Sequence, residues 1–167
     1  MSRAEEHLAA FLDSLGFHGD PEMADTARRF SEFLGEFVPV EVAPDVSPCA
    51  MTQSGPVAIR AMPFHSLCAH HLLPFHGKVS VAYRPENVLA GLGSIPRALR
   101  HFARRPQLQE RLTEQLAEHL YQALGPKGLV VQSTARHMCV EMRGAESPMD
   151  VVVLAVRGDV AGLERLV

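Results

Sequence analysis

A short stretch of the sequence concentrates side chains that bind metal ions. The segment SLCAHHLLPFHGK, residues 66–78, contains Cys68, His70, His71 and His76. Because Cys68 and His71 are three residues apart, a loop or a single turn can direct both side chains at one point, as in many zinc sites. Two ligands do not make a site, so the pattern predicts that further donors come from another part of the chain.

Cys139, in the segment ARHMCVEMRG, is the best further donor. If this segment is a strand, alternation places four side chains on one face, namely His137, Cys139, Glu141 and Arg143. Two cysteines and one histidine would leave the fourth tetrahedral position of a zinc ion for water, which is typical of catalytic zinc. His70 and His137 would then lie near the metal, where they could transfer protons. On spacing alone, a structural metal site or a coincidence stays open as the alternative.

Arginines and one glutamate form a second set of candidates. One short predicted helix carries four arginines, namely Arg97, Arg100, Arg104 and Arg105. The guanidinium group suits phosphate, but an arginine-rich helix is more often a solvated face. Glu110, at the start of another predicted helix, is favoured there simply by the helix dipole. Alternatively, its carboxylate could accept two hydrogen bonds from adjacent ring and amino N–H groups of guanine, and spacing does not decide between the two.

Hydrophobic periodicity predicts the elements that must position these residues. It predicts a helix over residues 2–16, a second helix from Asp20 to Phe37, and a loop over residues 39–56. The remaining elements are two strands, two helices and two strands, over residues 57–62, 77–84, 94–105, 107–126, 128–144 and 149–158. This order is typical of an α+β domain with a four-stranded antiparallel sheet. An oligomer that pairs the open sheet edges would protect them.

Composition limits the class of protein. The 167 residues are 47% hydrophobic and 21% charged, which suits one globular domain, with helices in residues 1–38 and the sheet in residues 57–167. A net charge of -3 argues against a dedicated nucleic-acid binder. The chain lacks an apolar run that could span a membrane and an apolar signal-peptide centre, so we expect a cytoplasmic protein. Its three irregularly spaced cysteines do not form a disulfide framework.

Three long segments, in this order and spacing, resemble the GTP cyclohydrolase I family: SLCAHHLLPFHGKVSVAYRP, PQLQERLTEQLAEHL and ARHMCVEMRG. The resemblance runs from about Met62 to Gly144 and extends more weakly to DTARRF in the second helix and to the last strand. It implies a tunnelling fold (T-fold), in which the sheets of several subunits join into a barrel and rings of subunits stack, typically as a decamer. It also implies hydrolysis of GTP to 7,8-dihydroneopterin triphosphate and formate, the entry to folate and related pterins.

The resemblance implies roles for the residues around the cysteines. By motif position, the zinc ligands are Cys68, His71 and Cys139, and one zinc ion per subunit is implied. The catalytic histidines are His70 and His137. These are the same residues that spacing alone places near a metal.

The resemblance also implies a set of substrate contacts. Glu110 matches the carboxylate that binds guanine, with Gln109 beside it. Arg143, Arg97 and Arg29 match contacts to the triphosphate, and Arg29 would reach the site of a neighbouring subunit. Small-molecule binding by a homo-oligomer is therefore implied, with neither nucleic acid nor membrane as a partner.

The chain departs from the family pattern at several positions. Ala69 stands where the family has a glutamate, and Gly93 and Ser94 stand where it usually has serine and lysine, so a positive charge near the phosphates is lost. The last strand, MDVVVLAVRG, is apolar where the family is commonly rich in serine and threonine. One alternative is a divergent paralogue that acts on another guanine compound, with fewer phosphates.

A second alternative is a non-catalytic subunit that binds purines or pterins. Retention of His70, His137 and all three candidate ligands argues against it, because a binding module does not need groups that transfer protons.

Overall fold

The structure, a computed structural model, describes residues 2–17, 19–39, 41–50 and 55–167. The chain divides into two compact units, Met1–Val38 and Pro39–Val167. Helices form the first unit, and the strands that the structure describes all lie in the second.

The N-terminal unit begins with helix α1, Arg3–Ser14, which starts at the predicted capping box. Ser2 Oγ accepts a hydrogen bond from the N–H of Glu5, and the N–H of Ser2 donates to the carboxylate of Glu5. The second predicted helix is divided into a 3-10 turn, Pro21–Met23, and helix α2, Thr26–Gly35. The side chain of Asp20 caps the 3-10 turn, so the predicted starting point is confirmed although the helix is not continuous.

The second unit is built on a five-stranded sheet. Strands β1, Pro48–Ala50, and β4, Val88–Ala90, form a separate two-stranded ladder, so the predicted loop over residues 39–56 contains a short strand. The main sheet has the order β5-β2-β3-β6-β7, with β2 Val57–Cys68, β3 Pro74–Arg84, β5 Pro106–Gln107, β6 Gly128–His137 and β7 Val151–Gly158. The four long strands are antiparallel neighbours, as predicted. The two-residue β5 adds a fifth, parallel strand at the end of β2, which the sequence did not indicate.

Two helices pack against this sheet and close the core. Helix α3 spans Ser94–Ala103 and helix α4 spans Gln109–Leu124. The predicted leucine face of α4 is buried in one cluster with β3 and β6, through Leu112, Leu116, Leu120 and Leu124. Gly125 ends α4 in the left-handed conformation, with φ of 52°, as the Gly–Pro stop signal predicts.

The predicted strand over residues 128–144 is wrong in its second half. β6 ends at His137, and Met138–Glu141 forms a single helical turn, α5. His137 pairs with Phe75, next to Pro74 at the start of β3, so the partner strand provides no further ladder hydrogen bonds. The backbone instead closes a local bond, from the N–H of Met142 to the carbonyl of Met138. The four side chains from His137 to Arg143 therefore do not share one strand face.

Two edges of the main sheet are open within the described part of the chain. β7 lies at one edge, and at the other edge β5 pairs only with Leu67 and Cys68 of β2. Along β7, three apolar side chains at alternate positions are about half exposed, namely Val152, Leu154 and Val156. Among the described helices, none has the length and apolar character that crossing a membrane requires.

Candidate metal centre and active site

The three predicted metal ligands come together at one end of the sheet. Cys68 is the last residue of β2, His71 lies in the turn that follows, and Cys139 lies in α5 directly after β6. Their ligand atoms, two sulfurs and an imidazole nitrogen, all lie within 4.8 Å of one another. One ion could therefore contact all three side chains.

The turn after Cys68 directs the two adjacent histidines. The carbonyl of Cys68 accepts hydrogen bonds from the N–H groups of His71, at 3.3 Å, and Leu72, at 2.8 Å. Leu72 has φ of 54°, in the left-handed region, where the chain reverses toward β3. Nδ1 of His71 then lies 3.7 Å from Sγ of Cys68, and Nδ1 of His70 lies 3.9 Å from the same sulfur. The candidate ligand His71 and the neighbouring His70 therefore both lie close to the sulfur of Cys68.

The donor set fits zinc. Two thiolates and one imidazole are common zinc ligands, and three protein ligands leave a tetrahedral position for water. Cys68 is buried and Cys139 is partly buried. Burial raises the pKa of the Cys139 thiol, and the neighbouring Cys68 thiol raises it further. A bound divalent cation would offset both effects, because it favours the thiolate form.

His137, at the end of β6, is held by two neighbours. Its ring lies parallel to the ring of Phe75, with centroids 5.0 Å apart and 1° between the planes. Its Nε2 lies 2.8 Å from Oε1 of Gln109. Burial lowers the pKa of His137, although the negative charges of Glu110 and Glu141 act in the opposite direction. The environment therefore favours the neutral ring.

The first turn of α4 carries the predicted guanine-binding residues. Glu110 is exposed, and its negative charge raises the pKa of His137. Gln109 is only 1% exposed. Its side chain bonds to Ser133, Val151 and His137, so the whole amide is engaged within the subunit.

Gly93 and Ser94, which stand where the family usually has serine and lysine, both affect the neighbouring Arg97. Ser94 is buried, and its Oγ accepts hydrogen bonds from the N–H of Ser47, at 3.1 Å, and from Arg97, at 3.2 Å. A side chain at Gly93 would also approach Arg97, because a Cβ there would lie 3.1 Å from its guanidinium. The Gly93–Ser94 pair therefore supports Arg97, which remains exposed on α3.

The two other predicted phosphate contacts lie outside the core. Arg143 is exposed in the segment after α5, and its charge acts on the Cys139 thiol. Arg29 belongs to the N-terminal unit, where its guanidinium contacts Asp25 at 3.3 Å. Within the described chain, the structure thus groups His70 with the three sulfur and nitrogen ligands. The charges of Glu110 and Arg143 act on His137 and on Cys139, and Arg29 belongs to the other unit.

Sequence reasoning missed the residues that support His137. Phe75 stacks on its ring, and Ser133 and Thr113 form a buried polar network with Gln109. The available signal was a polar residue inside an apolar run: Ser133 interrupts the buried face of β6, and Thr113 lies between leucines in α4. Buried hydroxyls of this kind need hydrogen-bond partners in the interior.

Comparison with known structures defines the class of protein. The chain resembles the crystal structure of the archaeosine synthase QueF-Like in the apo form, with a TM-score of 0.52 and 21% identity over 66% of this chain and 99% of that chain. This similarity concerns the fold alone, and it confirms the predicted tunnelling fold for the single subunit; the joining of several sheets into a barrel stays a prediction. The class is therefore a T-fold protein with a Cys–His–Cys cluster beside His70.

The sequence comparisons then identify the family. The model of the GTP cyclohydrolase I family matches residues 4–164, and the chain belongs to that family. It is 38% identical to GTP cyclohydrolase 1 of Sulfurihydrogenibium sp. (strain YO3AOP1) over 91% of this chain and 82% of that relative. It is 50% identical to GTP cyclohydrolase 1 of Aquifex aeolicus (strain VF5) over 61% of this chain and 56% of that relative.

Proposed function

We propose that this protein is a zinc-dependent GTP cyclohydrolase I. It would hydrolyse GTP at C8 of guanine, release formate and rearrange the remainder to 7,8-dihydroneopterin triphosphate. One observation carries the proposal: in a chain of this family, Cys68, His71 and Cys139 converge within 4.8 Å, with His70 beside them. The product would enter tetrahydrofolate biosynthesis and related pterin pathways.

The ligands and the histidines divide the chemistry between them. Zinc held by Cys68, His71 and Cys139 would supply an activated water at neutral pH. His70 and His137 would move the protons that the reaction requires, first to the imidazole nitrogen of guanine next to C8 and later during ribose opening and ring closure. Burial favours the neutral form of His137, and the neutral form is the one that has a lone pair to accept a proton.

The exposed charged residues would bind the substrate. The carboxylate of Glu110 would accept hydrogen bonds from the ring N–H and the amino group of guanine. Arg97 and Arg143 would contact the triphosphate through their guanidinium groups. By family resemblance, Arg29, which belongs to the N-terminal unit, would contribute from a neighbouring subunit.

The open sheet edges support an assembly of several subunits. β7 and most of β2 present unpaired backbone groups, and β7 also carries a half-exposed apolar stripe. Pairing between copies would close the sheets into a barrel and cover this stripe. We therefore propose a homo-oligomer, a decamer by family resemblance, located in the cytoplasm.

One observation favours a second candidate function. The lysine that the family usually has is replaced by Ser94, whose buried hydroxyl is already bonded to Ser47 and Arg97. The phosphate region therefore has one positive charge fewer, and a paralogue acting on a guanine nucleotide with fewer phosphates would need less charge there.

Turnover of guanine nucleotides by the zinc-loaded protein tests both functions. We expect GTP to yield formate and the ultraviolet spectrum of a reduced pterin. The same amount of protein is incubated with GDP and with GMP. A paralogue of the second kind would turn over one of these nucleotides faster than GTP. His137→Ala is the matched control, since it should retain zinc and lose turnover; loss of zinc in that variant would mean that His137 is a ligand instead.

A further inference from the structure

The amide of Gln109 has only one orientation that its surroundings allow. Its Nε2 lies 2.9 Å from the carbonyl oxygen of Val151 and 3.2 Å from that of Ser133. Carbonyl oxygens accept hydrogen bonds and cannot donate them, so the atom that faces them must be the amide NH2 group. The other end of the side chain, Oε1, therefore faces His137.

This orientation fixes the protonation of the His137 ring. Oε1 can only accept, so Nε2 of His137, 2.8 Å away, must carry a hydrogen. In the neutral ring the lone pair then lies on Nδ1. A flipped ring would place a C–H group against the buried Oε1 and leave that acceptor without its hydrogen bond. The parallel ring of Phe75 further restricts the imidazole to its present plane.

The hydroxyl groups of Thr113 and Ser133 complete a network in which each polar group has a consistent role as hydrogen-bond donor or acceptor. Thr113 Oγ1 donates to the carbonyl of Gln109, at 2.7 Å. Ser133 Oγ can then donate to Thr113 Oγ1, 2.7 Å away, and accept from the amide of Gln109, at 3.0 Å. All three side chains are at most 1% exposed. A buried network whose members are all satisfied is rigid, because any rearrangement leaves a polar group unpaired.

We propose that Gln109 is a positioning residue, which holds His137 as the Nε2–H tautomer so that protons enter and leave the ring at Nδ1. The inference rests on the proposed function only in giving His137 a catalytic role. Because Nε2–H is bonded to Gln109, Nδ1 is the ring nitrogen of neutral His137 that has a free lone pair. Gln109 would thus act through His137 and make no contact with the substrate.

The tautomer can be observed without any substrate. Solid-state NMR of the zinc-loaded full chain, with nitrogen-15 in its histidine rings, distinguishes a protonated from an unprotonated ring nitrogen, and His137→Gln identifies the signal. For neutral His137 we expect a protonated Nε2 and an unprotonated Nδ1. The opposite pattern would overturn the proposal, whether or not the variants below fold.

Gln109→Met tests the consequence for catalysis. Methionine has a similar length but no acceptor, so both tautomers should be populated, and kcat should fall by about tenfold to a hundredfold with KM and zinc content nearly unchanged. The control is the same substitution at Gln107, a buried glutamine whose amide bonds to Phe102 and Gln115. Gln107→Met should keep the tautomer and kcat.

The kinetics of the two variants and of the wild-type protein decide the question. An unchanged kcat in Gln109→Met, or an equal loss in Gln107→Met, would overturn the positioning role. A loss that appears mainly in KM would indicate a substrate contact and would also overturn it. Wild-type protein that shows the Nε2–H signature but does not turn over any guanine nucleotide would refute the proposed function and support the tautomer assignment.

Discussion

The thiol of Cys139 should matter for the metal more than for the fold. Cys139 is only partly buried and lies outside the strand ladder, whereas its sulfur belongs to the Cys–His–Cys cluster. Cys139→Ser should therefore remove most of the zinc, because a site with three protein ligands cannot easily lose a thiolate. Zinc content after dialysis and the circular dichroism spectrum measure the two effects. The exposed Cys49 offers a control, since the Cys49→Ser variant should bind as much zinc as wild type. Full zinc occupancy in the Cys139→Ser variant would show that the cluster is not the binding site.

Arg97 should act on substrate binding alone. Arg97 is exposed on α3 and contacts Ser94. Loss of a charge-assisted hydrogen bond between an arginine and a phosphate weakens substrate binding by about 1.5–3 kcal/mol. Arg97→Ala should therefore raise KM for GTP by about tenfold to a hundredfold with zinc content unchanged. Arg100→Ala, an exposed arginine on the same helix, is the control in the steady-state assay. If the two variants have the same KM, Arg97 is not a phosphate contact.

The individual residues were predictable to different degrees. Cys68, His71 and Cys139 could be chosen from the sequence because metals accept few ligand types, and the cluster shows that they converge. The role of Gln109 was not predictable, because it depends on which groups surround the amide in the interior. A side chain that is 1% exposed cannot be distinguished by spacing from an exposed one beside it, such as Glu110.

Among the secondary-structure elements, the contact between β3 and β6 depends on a glycine. A Cβ at Gly77 would lie 1.9 Å from the carbonyl oxygen of Thr134, so Gly77→Ala must displace one strand. We expect a loss of about 1–3 kcal/mol in the free energy of unfolding, measured with urea. Gly35→Ala is the control, because nothing lies within 4 Å of the added carbon and the residue ends a helix. Unchanged stability of Gly77→Ala would contradict the register of these strands.

Two surface ion pairs of Arg157 connect β7 to α4, and their contribution to the stability of the protein should depend on pH. Arg157 donates hydrogen bonds to Glu118, at 2.8 Å, and Glu114, at 2.7 Å, and its hydrogen bond lowers the pKa of Glu118. A lowered folded-state pKa stabilises the protein above the unfolded pKa of about 4.3, and this contribution is lost as the pH falls through the folded value.

Arg157→Met should therefore be less stable than wild type near neutral pH, and the difference should shrink between about pH 5 and about pH 3. Urea unfolding of both proteins across this pH range measures the difference in their free energies of unfolding. Arg60→Met is the control, because in the described part of the chain this exposed arginine of β2 has no carboxylate partner. A difference that is constant with pH would assign the effect of Arg157 to packing of its aliphatic stem.

At the level of elements, periodicity predicted most of the fold. The four long strands and the two core helices appear in the predicted order, because all of them except β7 bury a clear apolar face and β7 is a continuous apolar run. The failures occur where tertiary contacts decide. β6 stops at His137 because its partner β3 begins at Pro74, and β5 forms where Pro106 and Gln107 pair with the end of β2. Such boundaries depend on neighbouring strands, which a local pattern does not contain.

For the whole molecule, the apolar stripe of β7 should control assembly. Leu154 is 47% exposed at the centre of the stripe, and a charge there would have to be buried if copies pair along this strand. Leu154→Lys should therefore lower the mass of the particle measured by light scattering. Val42→Lys, at an apolar position that is 80% exposed outside the strands, is the control. A particle of unchanged mass in Leu154→Lys would show that this stripe is not an interface.

The route of the chain through the candidate metal centre has a consequence for how the protein is made. Cys68 and Cys139 approach each other from β2 and from the turn after β6, and β3 lies between these strands in the sheet. Before the two sulfurs can meet, the chain must close a long loop and pair β3 on both sides, and that entropy cost precedes any gain from the ion. The complete three-ligand cluster therefore forms only once β2, β3 and β6 are together, whereas Cys68 and His71 are already close along the chain. We expect the third ligand, Cys139, to join the site late in folding, after the sheet has formed.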